Sequence, residues 1–143
     1  MGGFRDPVDP QPAELRAWAY HPDAVPLTSL PADWDLLIAT DKLAPTLFEL
    51  AADSRCPARR FALHGLYIYA AEILLPNSRA GRRQRSRLHK LVDAAARSLD
   101  DTMGTWAHNC RVLQDHPEVF RHEDWISGGL ARQPFRLNPY RSR

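Results

Sequence analysis

Apolar residues recur at steps of three and four along most of this chain, and no apolar/polar alternation extends past five positions. A period near 3.6 marks amphipathic helices, so the pattern predicts an all-α fold. Pro12 opens a short helix through Tyr20 that carries Leu15, Trp18 and Ala19 on one face, and His21-Pro22 stops it. Ser29 and Pro31 read as the cap and first turn ahead of a helix over 33–40, where Trp34, Leu37 and Ile38 recur at helical spacing. Asp41 reads as the cap of the next helix, over 42–52. Leu43, Leu47, Phe48 and Leu50 are its apolar positions, and Pro45 is tolerated in its first turn.

From 57 to 75 the pattern loses its polar face: Phe61, Leu63, Leu66, Tyr67, Ile68, Tyr69, Ile73 and Leu74 predict a central buried helix. Gly65 in its middle costs about 1 kcal/mol of helix propensity relative to alanine, for which a close helix crossing at that point would compensate. Beyond Pro76-Asn77-Ser78, Leu88, Val92, Ala95, Leu99, Met103, Trp106, Cys110 and Leu113 follow without a phase break. One long helix over 82–115 accounts for them. At 1.5 Å per residue it would run about 50 Å, long enough to project or to meet another subunit. A short helix from Pro117 to about Ile126 follows, stopped by Gly128-Gly129.

The expected architecture is therefore a compact helical bundle of five to six helices with irregular arms. Residues 1–12 read as a flexible N-terminal arm, 13–129 as one helical domain and 130–143 as a basic, mobile tail. The stretch LAPTLFELAADSRCPARRFALHGL, residues 43–66, resembles one HEAT-type helical hairpin, with a proline early in its first helix and Asp53 in the turn. The resemblance covers about a sixth of the chain and has no second copy at a fixed period, so it implies a local packing and no family.

Composition narrows this only slightly. The chain has 143 residues, 44% hydrophobic and 25% charged, which suits one ordinary domain. No run approaches the roughly 20 apolar residues of a membrane span, and the start lacks the basic and apolar regions of a secretory signal, so a cytoplasmic, non-membrane protein is expected. Cys56 and Cys110 are too few for a disulfide scaffold and read as reduced thiols.

Charge changes the picture more. Residues 1–53 hold nine carboxylates against Arg5, Arg16 and Lys42, whereas 54–143 hold sixteen Lys or Arg against eight carboxylates. Halves of opposite sign attract, within one chain or between copies. Arg79, Arg82, Arg83, Arg85, Arg87 and Lys90 form the densest cluster, with no carboxylate among them. Arginine forks match phosphate oxygens, and cations at a helix N-terminus oppose the macrodipole, so the cluster points to a polyanion or an anionic partner. The simpler use is to balance the acidic half of the same chain.

A second candidate site is an apolar pocket with His64, Tyr67, Glu72, Trp106 and His108 as its aromatic and polar groups. Glu72 within an apolar helix would have a raised pKa; pairing with Arg79 or Arg82 is the plainer expectation, as is a tyrosine partner for His64. His108, Asn109 and Cys110 fan out by about 100° each and cannot converge on one atom, which speaks against a catalytic triad. His108 and Asn109 fall off the apolar stripe. No CxxC, HExxH or phosphate-loop motif occurs, so no metal, cofactor or catalytic residue is assigned. The leading expectation is a protein-interaction module that binds itself, as a dimer, and another protein through the long helix and its arginine-rich end; the alternatives are a nucleic-acid or other polyanion binder and a small-ligand bundle or enzyme.

Overall fold

A computed structural model describes residues 3–128. Every regular element among them is helical: seven α-helices and three 3₁₀ turns, with no strand. The all-α expectation holds. The helices are α1 (Pro12–Tyr20), α2 (Trp34–Leu37), α3 (Ala44–Ala52), α4 (Arg59–Leu74), α5 (Arg82–Ala96), α6 (Asp101–Asp115) and α7 (His122–Gly128). None is long and apolar enough to cross a membrane. The expected basic tail, 130–143, lies outside the described residues. Contacts divide the chain into two compact units between Tyr69 and Ala70.

In the first unit, α1 begins at Pro12, where its missing N–H leaves no donor unsatisfied. The Glu14 carboxylate accepts the backbone N–H of Gln11 and of Arg5, both at 2.9 Å. These bonds, the Arg5 one foremost, hold Glu14 below the usual carboxylate range. They also tie the preceding segment to the helix. The same segment lays Phe4 edge-on to Trp34 at 5.1 Å, and the Pro7 carbonyl accepts the Trp34 indole N–H at 2.9 Å.

Trp34 is the middle of an aromatic cluster. Trp18 meets it edge-on at 5.0 Å, and Phe61 stacks on it at 5.3 Å. Both indoles are buried, and the Trp18 N–H donates to the Val25 carbonyl at 2.8 Å, so burial leaves neither donor stranded. Edge-to-face pairs of this kind add about 0.5–1.5 kcal/mol each beyond their buried area.

Two local expectations are corrected here. The helix read over 33–40 is the single turn α2, because the chain turns at Thr40, whose carbonyl and hydroxyl both accept the Leu43 N–H. Asp41 does not cap α3; it accepts the Tyr69 hydroxyl at 2.6 Å instead. The close crossing expected at Gly65 is present: a Cβ there would lie 3.1 Å from the Leu47 Cδ1 and 3.6 Å from the Ile38 Cδ1. Leu47 is fully buried, so α3 rests on α4 where the missing side chain leaves room.

In the second unit the long helix over 82–115 is replaced by α5 and α6, which fold back on each other as a hairpin. Leu99, in phase with the apolar stripe, is fully exposed in the break. Two side chains make that break. The Ser98 hydroxyl accepts the Asp100 N–H, and the Asp100 carboxylate accepts the Met103 N–H, both at 3.0 Å, which caps α6. Folding back lets Leu88, Val92 and Ala95 of α5 and Met103, Trp106, Cys110 and Leu113 of α6 be buried, as an extended helix on its own could not. The Asp93 carboxylate and Arg111 guanidinium pair across the hairpin at 3.1 Å. After a 3₁₀ turn over Pro117–Val119, α7 buries Trp125 with Phe120 tilted against it at 6.2 Å. A 50 Å helix reaching for another subunit is therefore absent, and self-association loses the length argument behind it.

Candidate functional site

The geometry of α5 sets out its chemistry. Ser78 accepts the Ala80 N–H at 3.0 Å, and Gly81, extended at the helix start, donates its own N–H to the Gln84 side-chain oxygen at 3.2 Å. That bond satisfies a donor at the N-cap and folds Gln84 back along the helix. Leu88, Val92 and Ala95 are the buried residues of α5. At about 100° per residue they occupy one side, and the opposite side falls at Arg82, Arg83, Ser86, Arg87, Lys90 and, one turn further on, Asp93.

All six cations singled out in the sequence, Arg79, Arg82, Arg83, Arg85, Arg87 and Lys90, are exposed. The Arg85 guanidinium donates to the Ala80 carbonyl at 3.3 Å. Arg79, Arg82, Arg83 and Lys90 form no ion pair with another described residue. Between Glu72 and Asp93 the chain has no carboxylate at all. The exposed residues of α5 are Arg82, Arg83, Arg85, Ser86, Arg87, His89, Lys90, Asp93 and Ala96, so no large apolar side chain interrupts the basic surface. The large apolar residues that are exposed among the described residues, Val8, Tyr20, Leu27, Leu36 and Leu99, all lie elsewhere.

The five residues of the pocket reading fall in both units. His64 and Tyr67 belong to the first unit, and Glu72, Trp106 and His108 to the second. His64 donates through Nε2 to the Asp35 carboxylate at 3.1 Å, an acceptor 29 residues upstream and not the tyrosine expected. Tyr67 and Trp106 are buried, while Glu72 and His108 are exposed. Partial desolvation pushes the Glu72 carboxyl up, and it pairs with neither Arg79 nor Arg82. Asn109, expected off the apolar stripe, is buried beside Cys110, because α6 buries a broad face that takes in both positions.

Both cysteines are buried free thiols. Burial pushes the Cys110 thiol well above its ordinary range and raises Cys56, which sits 3.7 Å from the Ala19 carbonyl. Such thiols are poor nucleophiles at neutral pH. Among the described residues no three His, Cys, Asp or Glu side chains are gathered as a metal site would need. No protein-family model, curated protein or solved structure matches the chain.

Proposed function

We propose that the protein works by binding rather than by catalysis, that its working surface is the solvent face of α5, and that its partner is a polyanion. One observation carries this reading: six exposed cations within twelve residues, a stretch that holds no carboxylate and exposes no large apolar side chain, while Asp93, the one carboxylate of α5, is paired with Arg111. Stable protein interfaces place apolar and aromatic anchors at their centre. The α5 face offers none, which favours a partner recognised through charge alone over the self-association or protein-module reading.

The arginines also oppose the positive end of the α5 macrodipole. An anion bound over the first turn would stabilise both. Heparin, a sulfated polysaccharide, tests the proposal without choosing among polyanions. The wild-type protein is expected to elute from immobilised heparin only at raised salt, and an Arg82→Ala/Arg83→Ala/Lys90→Ala variant to elute early. Equal retention of the two proteins would sink the assignment of this face.

A further inference from the structure

The breadth of the basic face bears on which polyanion it fits. Arg82 and Lys90 are eight residues apart, about 12 Å along α5, and at about 100° per residue Arg82, Lys90, Arg83 and Arg87 fan across some 140° of its solvent side. The cations therefore form a band with width as well as length. A single phosphate group would engage one or two of them; a band of this size matches an array of phosphates in two dimensions.

Two further features concern bases. Single-stranded nucleic acid is gripped by aromatic side chains on which unpaired bases stack. Neither α5 nor α6 exposes a Phe, Tyr or Trp: Trp106 is their sole residue of these types, and it is buried, which leaves the smaller imidazoles of His89 and His108 as the only exposed rings of the two helices. Base edges in a groove are read by glutamine, which pairs with adenine, and most often by arginine or lysine, which pair with guanine. The Gln84 side-chain oxygen is held by the Gly81 N–H, so any base reading would fall to the arginines and lysine, and a duplex of scrambled sequence tests for it.

Resting on the polyanion reading, we infer that the partner is double-stranded nucleic acid, held through its phosphate backbones without regard to base sequence. A duplex keeps its bases stacked on one another, asks no aromatic platform of the protein, and presents phosphates on two strands. Arginine forks suit those oxygens, and five of the six cations are arginine.

The test is fluorescence anisotropy of the full chain with a short labelled DNA duplex, a duplex of scrambled sequence, one of the separated strands, and an RNA duplex. The duplexes are expected to bind about tenfold more tightly than the single strand, with the two DNA sequences within about twofold of each other. Six phosphate contacts would give a slope of log K against log salt near −5, and the triple Ala variant should lose about three units of it while its circular dichroism stays unchanged. Comparing the DNA and RNA duplexes tells which backbone geometry the band fits. Single-strand binding as tight as duplex binding, or heparin binding with no duplex binding, would overturn the inference and leave the polyanion reading standing. Loss of both heparin and duplex binding would remove the two together.

Discussion

In the first unit, charged and polar side chains meet partners far along the chain. Asp9 pairs with Lys42, Glu49 with Arg16, Asp53 with Tyr20, Asp41 with Tyr69 and Asp35 with His64, each across 28 to 33 residues. Around the start of α5, Arg79, Arg82, Arg83 and Lys90 pair with no carboxylate of another described residue, and further along the helix Asp93 reaches Arg111. Exposed ion pairs are worth about 0–1 kcal/mol each, so those of the first unit serve to set which segments meet more than to hold them. The helix α5 is held by Leu88, Val92 and Ala95. Arg82, Arg83 and Lys90 enter no ion pair with another described residue, and a face with such charges has them available for something outside the chain.

The contrast implies that removing a member of the first unit's interior should cost far more than removing the α5 cations. Trp34→Ala is the largest case. Three rings pack on Trp34, and its indole N–H is bonded to the Pro7 carbonyl. Truncating a buried tryptophan costs about 3–5 kcal/mol. Urea unfolding followed by circular dichroism should show that loss; a change below about 1 kcal/mol would mean that the aromatic cluster does not organise the unit.

Next in size is Asp100→Ala, which removes the acceptor for the Met103 N–H and should cost about 1 kcal/mol in thermal unfolding, with faster hydrogen exchange at the first turn of α6. This residue also marks where the sequence pattern misled. Leu88 through Leu113 stay in phase, and phase alone favours one helix, yet Ser98 and Asp100 supply the local bonds that end one helix and start another. The signal was present in the Ser-Leu-Asp-Asp run; apolar periodicity cannot see it because Leu99 occupies a correct register while pointing into solvent.

Elsewhere periodicity served well. It placed α1 at Pro12–Tyr20 and α4 within two residues at each end, and the glycine in α4 foretold the contact with Leu47. The basic cluster was equally legible, since exposure follows once Leu88, Val92 and Ala95 are assigned inward. Pairings such as His64 with Asp35 were not, because no local rule links residues 29 positions apart.

A smaller effect comes from the Tyr20–Asp53 bond of 2.5 Å between exposed groups. The Tyr20 hydroxyl, then the Arg55 N–H, hold the Asp53 carboxyl below its ordinary 3.8. Its contribution to stability is present above that value and is lost as pH falls through the lowered one. The same hydrogen bond is the main cause that pushes Tyr20 from 10.0 up to about 12. The phenol's contribution is thus present below pH 10.0 and is lost as pH rises toward about 12. Tyr20→Phe should flatten both limbs of the stability profile measured by urea midpoint. If the variant keeps both limbs, this pair is not what couples the first unit to pH.

The smallest change tests the other side of the contrast. Arg82 and Arg83 stand in the first turn of α5, where cations oppose the helix dipole, and alanine is the better helix former. Arg82→Ala/Arg83→Ala should therefore melt at the wild-type temperature or slightly above it, even as it weakens retention on heparin. Stability and binding would then move apart, as they must if these charges act on a partner. A melting temperature several degrees below wild type would show that the arginines hold the fold together. The cations of α5 would then be engaged like the carboxylates of the first unit, and the difference between the two regions would disappear.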